Sequence, residues 1–97
     1  MALTRWGFIY KLGSEATAPR EDVLGSDDCV LVSVGVPEVA DGPEVARRLV
    51  DEGVQLIELC GAFGPAGTAA IVEAVGGKVA IGGVYYRVEA IDGLAQL

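Results

Sequence analysis

The sequence predicts a small α/β domain with an open, mostly parallel four-stranded sheet and helices on both faces. Two apolar segments, residues 29–35 and 55–60, have the composition of strands buried in a parallel sheet. Each precedes a segment with Gly-Pro at its start and glycine at its end, residues 42–53 and 64–76, which is typical of a helix. Two strand–helix–strand units in succession indicate a parallel sheet with right-handed crossovers.

The amino-terminal segment supplies the first strand. Residues 5–11 are rich in aromatic and β-branched side chains, and Trp6, Phe8 and Tyr10 fall on one face at a period of two. Between this strand and residue 29, Pro19 stands at a position that suits the first turn of a helix. We therefore expect a short helix from Pro19 through Leu24, closed by Gly25.

The first long helix is amphipathic. It begins at Asp41-Gly42-Pro43-Glu44 and ends at Gly53. Its apolar side chains, at helical spacing, are Val45, Ala46, Leu49 and Val50.

The second long helix, residues 64–75, is apolar on nearly every side. Its one charge is Glu73, and Gly76-Gly77 end it. A helix of this kind is usually covered on more than one side, so it is a candidate subunit interface.

The carboxyl-terminal part supplies the last elements. Residues 78–83 have the pattern of the fourth strand, which residues 84–88 can extend. Residues 89–97 are typical of a short amphipathic helix interrupted at Asp92-Gly93.

The composition predicts one domain that associates with itself. Ninety-seven residues form a single core, here the single domain 1–97. Hydrophobic residues make up 52% of the chain, more apolar surface than so small a domain hides easily, which favours a homo-oligomer. The competing explanation is that many of these residues are Ala and Val, which bury little area each.

The charge balance limits the partners. Fourteen acids, seven bases and no histidine give a formal charge of −7. Nucleic acid and anionic membranes are therefore not expected partners, and no apolar stretch is long enough to span a membrane. Two cysteines without histidine make a metal site improbable, and we expect no cofactor. Cys29 and Cys60 lie at opposite ends of parallel strands, beyond disulfide reach, which suits the reducing cytoplasm.

Glu58 is the strongest candidate for a catalytic residue. It is an acid inside an apolar strand, and a buried carboxyl without a partner has a raised pKa suited to proton transfer near neutral pH. The alternatives are an ion pair with Arg87, Lys78 or Arg5, or a place on an edge strand.

Cys60 and the turn after it form the rest of the predicted site, because ligands bind outside the carboxyl ends of parallel strands. Cys60 shares its strand face with Glu58, as a second catalytic group or as a packing residue. The following helix start provides free N–H groups for an anion, although its G-x-x-G-x-x-G spacing matches no nucleotide loop. The candidate ligand-binding residues are Gly61, Phe63, Gly64, Ala66, Gly67, Thr68, Tyr85 and Arg87. The alternative is that Tyr85 is an interface aromatic and that Arg87 is the counter-ion of Glu58 or Glu89.

A family resemblance covers most of the chain. The motifs Glu-Gly-Val-Gln-Leu-Ile-Glu-Leu-Cys-Gly-x-Phe-Gly-Pro-x-Gly at residues 52–67 and Glu-Ala-Ile-Asp-Gly-Leu at residues 89–94 resemble a family of short, single-domain bacterial proteins of uncharacterised function. The resemblance implies no reaction. Residues 53–68 alone are also similar to the strand that carries the acid in tryptophan synthase α-subunits, matching Glu58. They are similar as well to the strand-end cysteine of aspartate/glutamate racemases, matching Cys60.

Two functions fit these residues. The first is a cofactor-independent enzyme of the isomerase or lyase type, acting by proton transfer on a small anionic or carbonyl metabolite, with Glu58 and Cys60 as its catalytic groups. The alternative is a non-catalytic homo-oligomeric module that binds a small ligand or a protein.

Overall fold

The computed structural model describes residues 2–97 and contains a five-stranded, mostly parallel sheet with three α-helices. The strands are β1 (Arg5–Lys11), β2 (Arg20–Ser26), β3 (Cys29–Val36), β4 (Leu56–Leu59) and β5 (Ala80–Gly83). The helices are α1 (Gly42–Asp51), α2 (Gly64–Val75) and α3 (Ile91–Ala95). The sheet order is β2-β3-β1-β4-β5, in which only β2 runs antiparallel to its neighbour.

The segment predicted as a short helix after Pro19 is instead strand β2, so the sheet has five strands rather than four. β2 and β3 form a hairpin in which Ser26 pairs with Cys29 across a two-residue turn. Gly25, with φ of 106°, has the left-handed backbone that the tight connection requires. A β-carbon there would meet the carbonyl oxygen of Cys29 at 2.3 Å, so no other residue fits.

Both long helices lie on the same face of the sheet, which corrects the expectation of helices on both faces. The crossovers from β3 to β4 and from β4 to β5 step in the same direction along the strand order. Right-handed crossovers in one direction place their helices on one face. α1 accordingly packs against α2, and Gly42 at the start of α1 lies against Phe63 and Ile71.

The core lies between this helical layer and one face of the central strands. Its side chains are nearly free of solvent, and they alternate along each strand as a sheet requires. The core residues are Ile9, Val32, Val34, Val36, Ala46, Leu49, Val54, Ile57, Leu59, Phe63, Ile71 and Val75.

We call the other side of the sheet the open face, because neither α1 nor α2 covers it. Strand pairing places its side chains in rows across the five strands. The row nearer the amino ends, which we call the apolar row, contains Leu24, Leu31, Trp6, Leu56 and Ala80. The next row contains Asp22, Ser33, Phe8, Glu58 and Gly82. The aromatic side chains of β1 are half-buried here, and Phe8 stacks on Tyr10 with ring centroids 6.0 Å apart.

The carboxyl-terminal segment lies outside the core. The fourth predicted strand ends at Gly83 and is not extended by residues 84–88. Every residue from Val84 to Leu97 except Ala90 is exposed, including the apolar side chains of Tyr85, Val88 and Ile91. We call residues 84–97 the arm. Its short α3 accounts for the helix predicted after residue 89.

The two cysteines are free thiols at opposite edges of the sheet, with Cys29 at the start of β3 and Cys60 just after β4. No helix within residues 2–97 is long and apolar enough to cross a membrane.

Candidate functional site

A cleft of about 470 Å³ lies at the carboxyl edge of the sheet, between the ends of β4 and β5 and the first turns of α2. It is lined by Cys60, Gly61, Gly64, Pro65, Thr68, Ala69, Gly83 and Val84. Strand ends and a helix start converge here because the chain leaves β4, turns and enters α2 within a few residues. Four predicted site residues, Cys60, Gly61, Gly64 and Thr68, therefore share one cavity.

The turn that forms the cleft is fixed by Phe63 and Gly64. Residues 61–63 make one turn of 3-10 helix, in which the N–H of Phe63 donates to the carbonyl oxygen of Cys60 at 3.2 Å. The Phe63 side chain then enters the core, where it is only 4% exposed. Gly64 follows with φ of 60° and ψ of −175°, a backbone that favours glycine. Phe63, predicted to bind ligand, is thus a core residue that positions the cleft.

Cys60 is held at the floor of the cleft by the central strand. Its N–H donates to the carbonyl oxygen of Ile9 at 3.1 Å, which continues the ladder between β1 and β4. Its Sγ accepts a hydrogen bond from the N–H of Lys11 at 3.3 Å. The thiol is half-buried, so it is fixed in place yet reaches the cavity.

The start of α2 presents its first turn to the cleft. The first N–H groups of an α-helix have no partner within the helix and carry the positive end of its dipole. Thr68 adds a half-buried hydroxyl to the same wall. Gly67 points elsewhere, because a β-carbon there would lie 3.0 Å from Val39 Cγ1. Ala66 is exposed and does not line the cavity.

Glu58 lies outside the cleft, on the open face. Its side chain is exposed, beside Phe8 of β1, and a β-carbon at Gly82 would lie 3.9 Å from its Cγ. Within residues 2–97 no cation lies within salt-bridge distance of its carboxylate. Glu58 lies within β4 and Cys60 directly after it, roughly 7 Å further along the chain, and the Cys60 side chain packs against the core whereas Glu58 does not.

The arm brings one aromatic side chain to the rim of the cleft. A β-carbon at Gly61 would lie 3.9 Å from Cε2 of Tyr86, so the Tyr86 ring stands beside this glycine. Tyr85 and Arg87, the residues predicted to bind ligand, are exposed and do not line this cleft. Arg87 Nη2 pairs with Glu89 Oε1 at 3.0 Å.

Comparison with known protein families shows to which family the chain belongs. A family model described as a family of unknown function, DUF6506, matches residues 4–97. The chain belongs to the DUF6506 family. The expectation from the sequence motifs, a family of uncharacterised function, is confirmed. No curated protein and no solved structure matches this DUF6506 chain.

A second cavity of this DUF6506 chain, of about 510 Å³, lies beside the start of α1. Its lining residues are Thr17, Pro19, Pro37, Asp41, Glu44, Val45 and Arg48. Hydrogen bonds to Glu52 and then to Glu21 raise the pKa of the Arg48 guanidinium, which is therefore engaged by two carboxylates. With its cation occupied and two further acids on its wall, this cavity suits an anion poorly.

Sequence reasoning did not single out four lining residues of the first cleft: Pro65, Ala69, Gly83 and Val84. Pro65 and Ala69 were detectable, because they lie four residues apart on one face of α2, next to Thr68. Gly83 and Val84 lie at the end of the fourth predicted strand, where the sequence also indicates ligand binding, and the pairing of β5 with β4 brings them beside Cys60. The second cavity was not detectable from the sequence, because residues 12–19 carry no element that predicts where they lie.

Proposed function

We propose that the protein binds a small anionic or carbonyl-bearing metabolite in the cleft that contains Cys60 and the start of α2. The observation that carries the proposal is the convergence of this cavity, a helix start and a fixed thiol at the carboxyl edge of a parallel sheet. The cavity volume of about 470 Å³ lies in the range typical of small-molecule sites.

The walls suggest how a ligand is held. Free N–H groups at the start of α2 attract a carboxylate, phosphate or carbonyl oxygen, and the Thr68 hydroxyl can accept or donate a further hydrogen bond. Pro65, Ala69 and Val84 offer small apolar surface to the remainder of the ligand. The predicted partners are thus small molecules rather than nucleic acid, in keeping with a formal charge of −7.

A variant that fills the cleft tests this proposal. Amide spectra of the labelled protein are recorded with a panel of small carboxylates, keto acids and phosphate esters, and we expect shifts confined to residues 60–69. Ala69→Phe should abolish them, because Ala69 lines the cavity. Ala70→Phe is the matched control, since Ala70 is exposed on the same helix outside the cleft. Binding that survives Ala69→Phe, or a panel without any shift at residues 60–69, argues against the site.

The second candidate function is a cofactor-independent isomerase or lyase, with Glu58 as acid or base and Cys60 as a second group. It is favoured because Glu58 lies two residues before Cys60 at the end of β4 and has no ion-pair partner within residues 2–97. Proton transfer between these side chains and a bound substrate requires no cofactor. We place the protein in the cytoplasm as a homo-oligomer, a setting in which both thiols stay reduced.

Substitution of Glu58 separates the two candidates. Glu58→Gln should leave ligand binding at residues 60–69 unchanged and lower any turnover of a bound ligand by about 100-fold or more. Glu73→Gln, at an exposed acid on α2, is the control for the loss of one charge. Turnover that is unaffected by Glu58→Gln removes Glu58 from the chemistry and leaves the binding function.

A further inference from the structure

The open face has the features of a self-association surface. The apolar row crosses all five strands without interruption and includes the chain's one tryptophan, Trp6. Trp6, Leu31 and Leu56 are half-buried, and Leu24 is 53% exposed. In a sheet with one face in water, which is usually antiparallel, each strand alternates apolar and polar residues, and the polar ones face the water. Here both faces of β1 are apolar, as in a sheet that is covered on both sides.

The surface shape of the open face is self-complementary. On one side of the central strand β1 the apolar row carries the large side chains Leu31 and Leu24, and at the far edge it ends in Ala80. β1 is the third of five strands, so a two-fold axis parallel to β1 places β2 and β3 of one copy over β5 and β4 of the other. Leu24 then lies over the low surface at the partner's Ala80. An axis perpendicular to the strands that keeps the two apolar rows in contact would instead lay each strand over its own copy, so that Leu24 meets the partner's Leu24 and no low surface receives it.

The size of the open face fits a reversible dimer. The strand lengths, with a rise of roughly 3.3 Å per residue and a spacing of roughly 4.8 Å, give a plane of about 480 Å² per copy. Two copies therefore bury about 1,000 Å² in total, which is the lower limit for a specific interface. This plane includes the second row, in which the same axis places Glu58 over the partner's Ser33, a hydroxyl that can donate a hydrogen bond to the carboxylate.

We infer that a second copy of this chain packs its open face on this one, about a two-fold axis parallel to β1, with Leu24 against the partner's Ala80. The inference goes beyond the proposed ligand site and does not rest on it. An anionic lipid surface is a poor alternative occupant, because the chain carries a formal charge of −7 and places Glu58 on this face. The sheets face each other at about 10 Å, as in other sheet-on-sheet packings.

Two measurements on the full chain test the dimer itself. Sedimentation velocity over a dilution series from about 1 mM to about 1 μM should show a reversible monomer–dimer equilibrium. The fluorescence of Trp6, which lies within the interface, should shift to longer wavelength as the dimer dissociates. A monomer at every concentration, or a dimer whose Trp6 emission does not change on dilution, overturns the inference.

Substitutions then locate the interface. Leu24→Glu should raise the dimer Kd by roughly 100-fold, because a two-fold interface contains the substitution twice. Val72→Glu on α2 and Ile91→Glu on the arm replace similarly exposed apolar side chains and should leave Kd unchanged. Leu24 is exposed on the edge strand β2, so the variant keeps its fold, which far-UV circular dichroism checks. Dissociation by either control and not by Leu24→Glu would move the interface to α2 or to the arm and overturn the inference.

A charge pair tests the orientation of the axis. Ala80→Lys alone should also weaken the dimer, because Ala80 faces Leu24 of the other copy. Leu24→Glu combined with Ala80→Lys in one chain should recover at least about tenfold of the lost affinity, since each introduced acid then meets an introduced base. The absence of any recovery in the double variant overturns the proposed axis. Ligand shifts at residues 60–69, measured on the same variants, report separately on the cleft.

Discussion

Gly42→Ala tests the packing that positions the cleft. Gly42 is buried at the start of α1, and its φ of −59° and ψ of −48° are ordinary helical values that alanine also adopts. The added β-carbon, however, would lie 2.7 Å from Cε1 of Phe63 and 2.9 Å from Cδ1 of Ile71. Both side chains are almost fully buried, so neither can move into open space.

The expected cost follows from these distances. Overpacking of a tight core costs about 1–3 kcal/mol, and the better helix propensity of alanine offsets up to about 1 kcal/mol of it. With about 2 kcal/mol taken for the overpacking, the net destabilisation of about 1–2 kcal/mol should lower the Tm by roughly 4–16 °C in a domain of this size. Thermal and urea unfolding followed by far-UV circular dichroism measures it.

Two further variants give this experiment its controls. Gly93→Ala, at a helical glycine of α3 with no atom within 4 Å of the added carbon, should be neutral or slightly stabilising. Ile71→Val removes the Cδ1 atom that the new methyl group meets. The double variant Gly42→Ala, Ile71→Val should therefore lose at least about 0.5 kcal/mol less unfolding free energy than the sum of the losses in the two single variants. If Gly42→Ala unfolds at the wild-type temperature, α1 does not pack against Phe63 and Ile71 as described.

Two other predictions concern hydrogen bonds made by single side chains. Gln55 Oε1 accepts hydrogen bonds from the N–H groups of Thr4 at 2.6 Å and Arg5 at 3.0 Å. Gln55→Ala should therefore speed hydrogen exchange at these two amides and lower the free energy of unfolding by about 1 kcal/mol. Unchanged exchange at both amides would contradict the contact. The Ser26 hydroxyl donates to Asp28 Oδ1 at 2.6 Å and lowers the pKa of that carboxyl, so in Ser26→Ala an NMR titration should show this pKa nearer its ordinary value. A carboxyl whose pKa is lower in the folded state stabilises the fold at pH values above its unfolded-state pKa, and this stabilisation is lost as the pH falls through its folded-state pKa. The difference in unfolding free energy between wild type and Ser26→Ala should therefore vanish in acid. A difference that persists in acid would contradict this cause.

The sequence predicts the elements that carry local start and stop signals. Gly-Pro at residues 42–43 and at residues 64–65, with Gly53 and Gly76 after the last turns, marks α1 and α2 closely. Pro19 and Gly25 have the same residue types at the same positions, so they predict a helix where the structure has β2. What forms β2 is its pairing with β3 around the turn at Asp27-Asp28, and pairing is not a local property.

The one-sided helical layer depends on strand order, which local patterns do not encode. β1 is first in the chain yet third in the sheet, because the β2–β3 hairpin and the β4–β5 units flank it on opposite sides. Both crossovers then run in one direction, and both helices share one face. The apolar alternation in β1 correctly placed Trp6, Phe8 and Tyr10 on one face, but only the topology shows that this face is the uncovered one.

The same topology explains why the predicted site divides into two places. Alternation along β4 puts Glu58 on the open face, but the strand ends at Leu59, so the alternation does not extend to Cys60, whose side chain packs against the core. Cys60, at the end of the strand, meets the turn into α2 and so lines the cleft, whereas Glu58, two residues earlier, has only the shallow surface at Gly82 beside it. A single chain therefore gives the thiol a cavity and leaves the carboxylate in water. Glu58 therefore belongs to the open face, which we propose a second copy of the chain to cover, and not to the cleft.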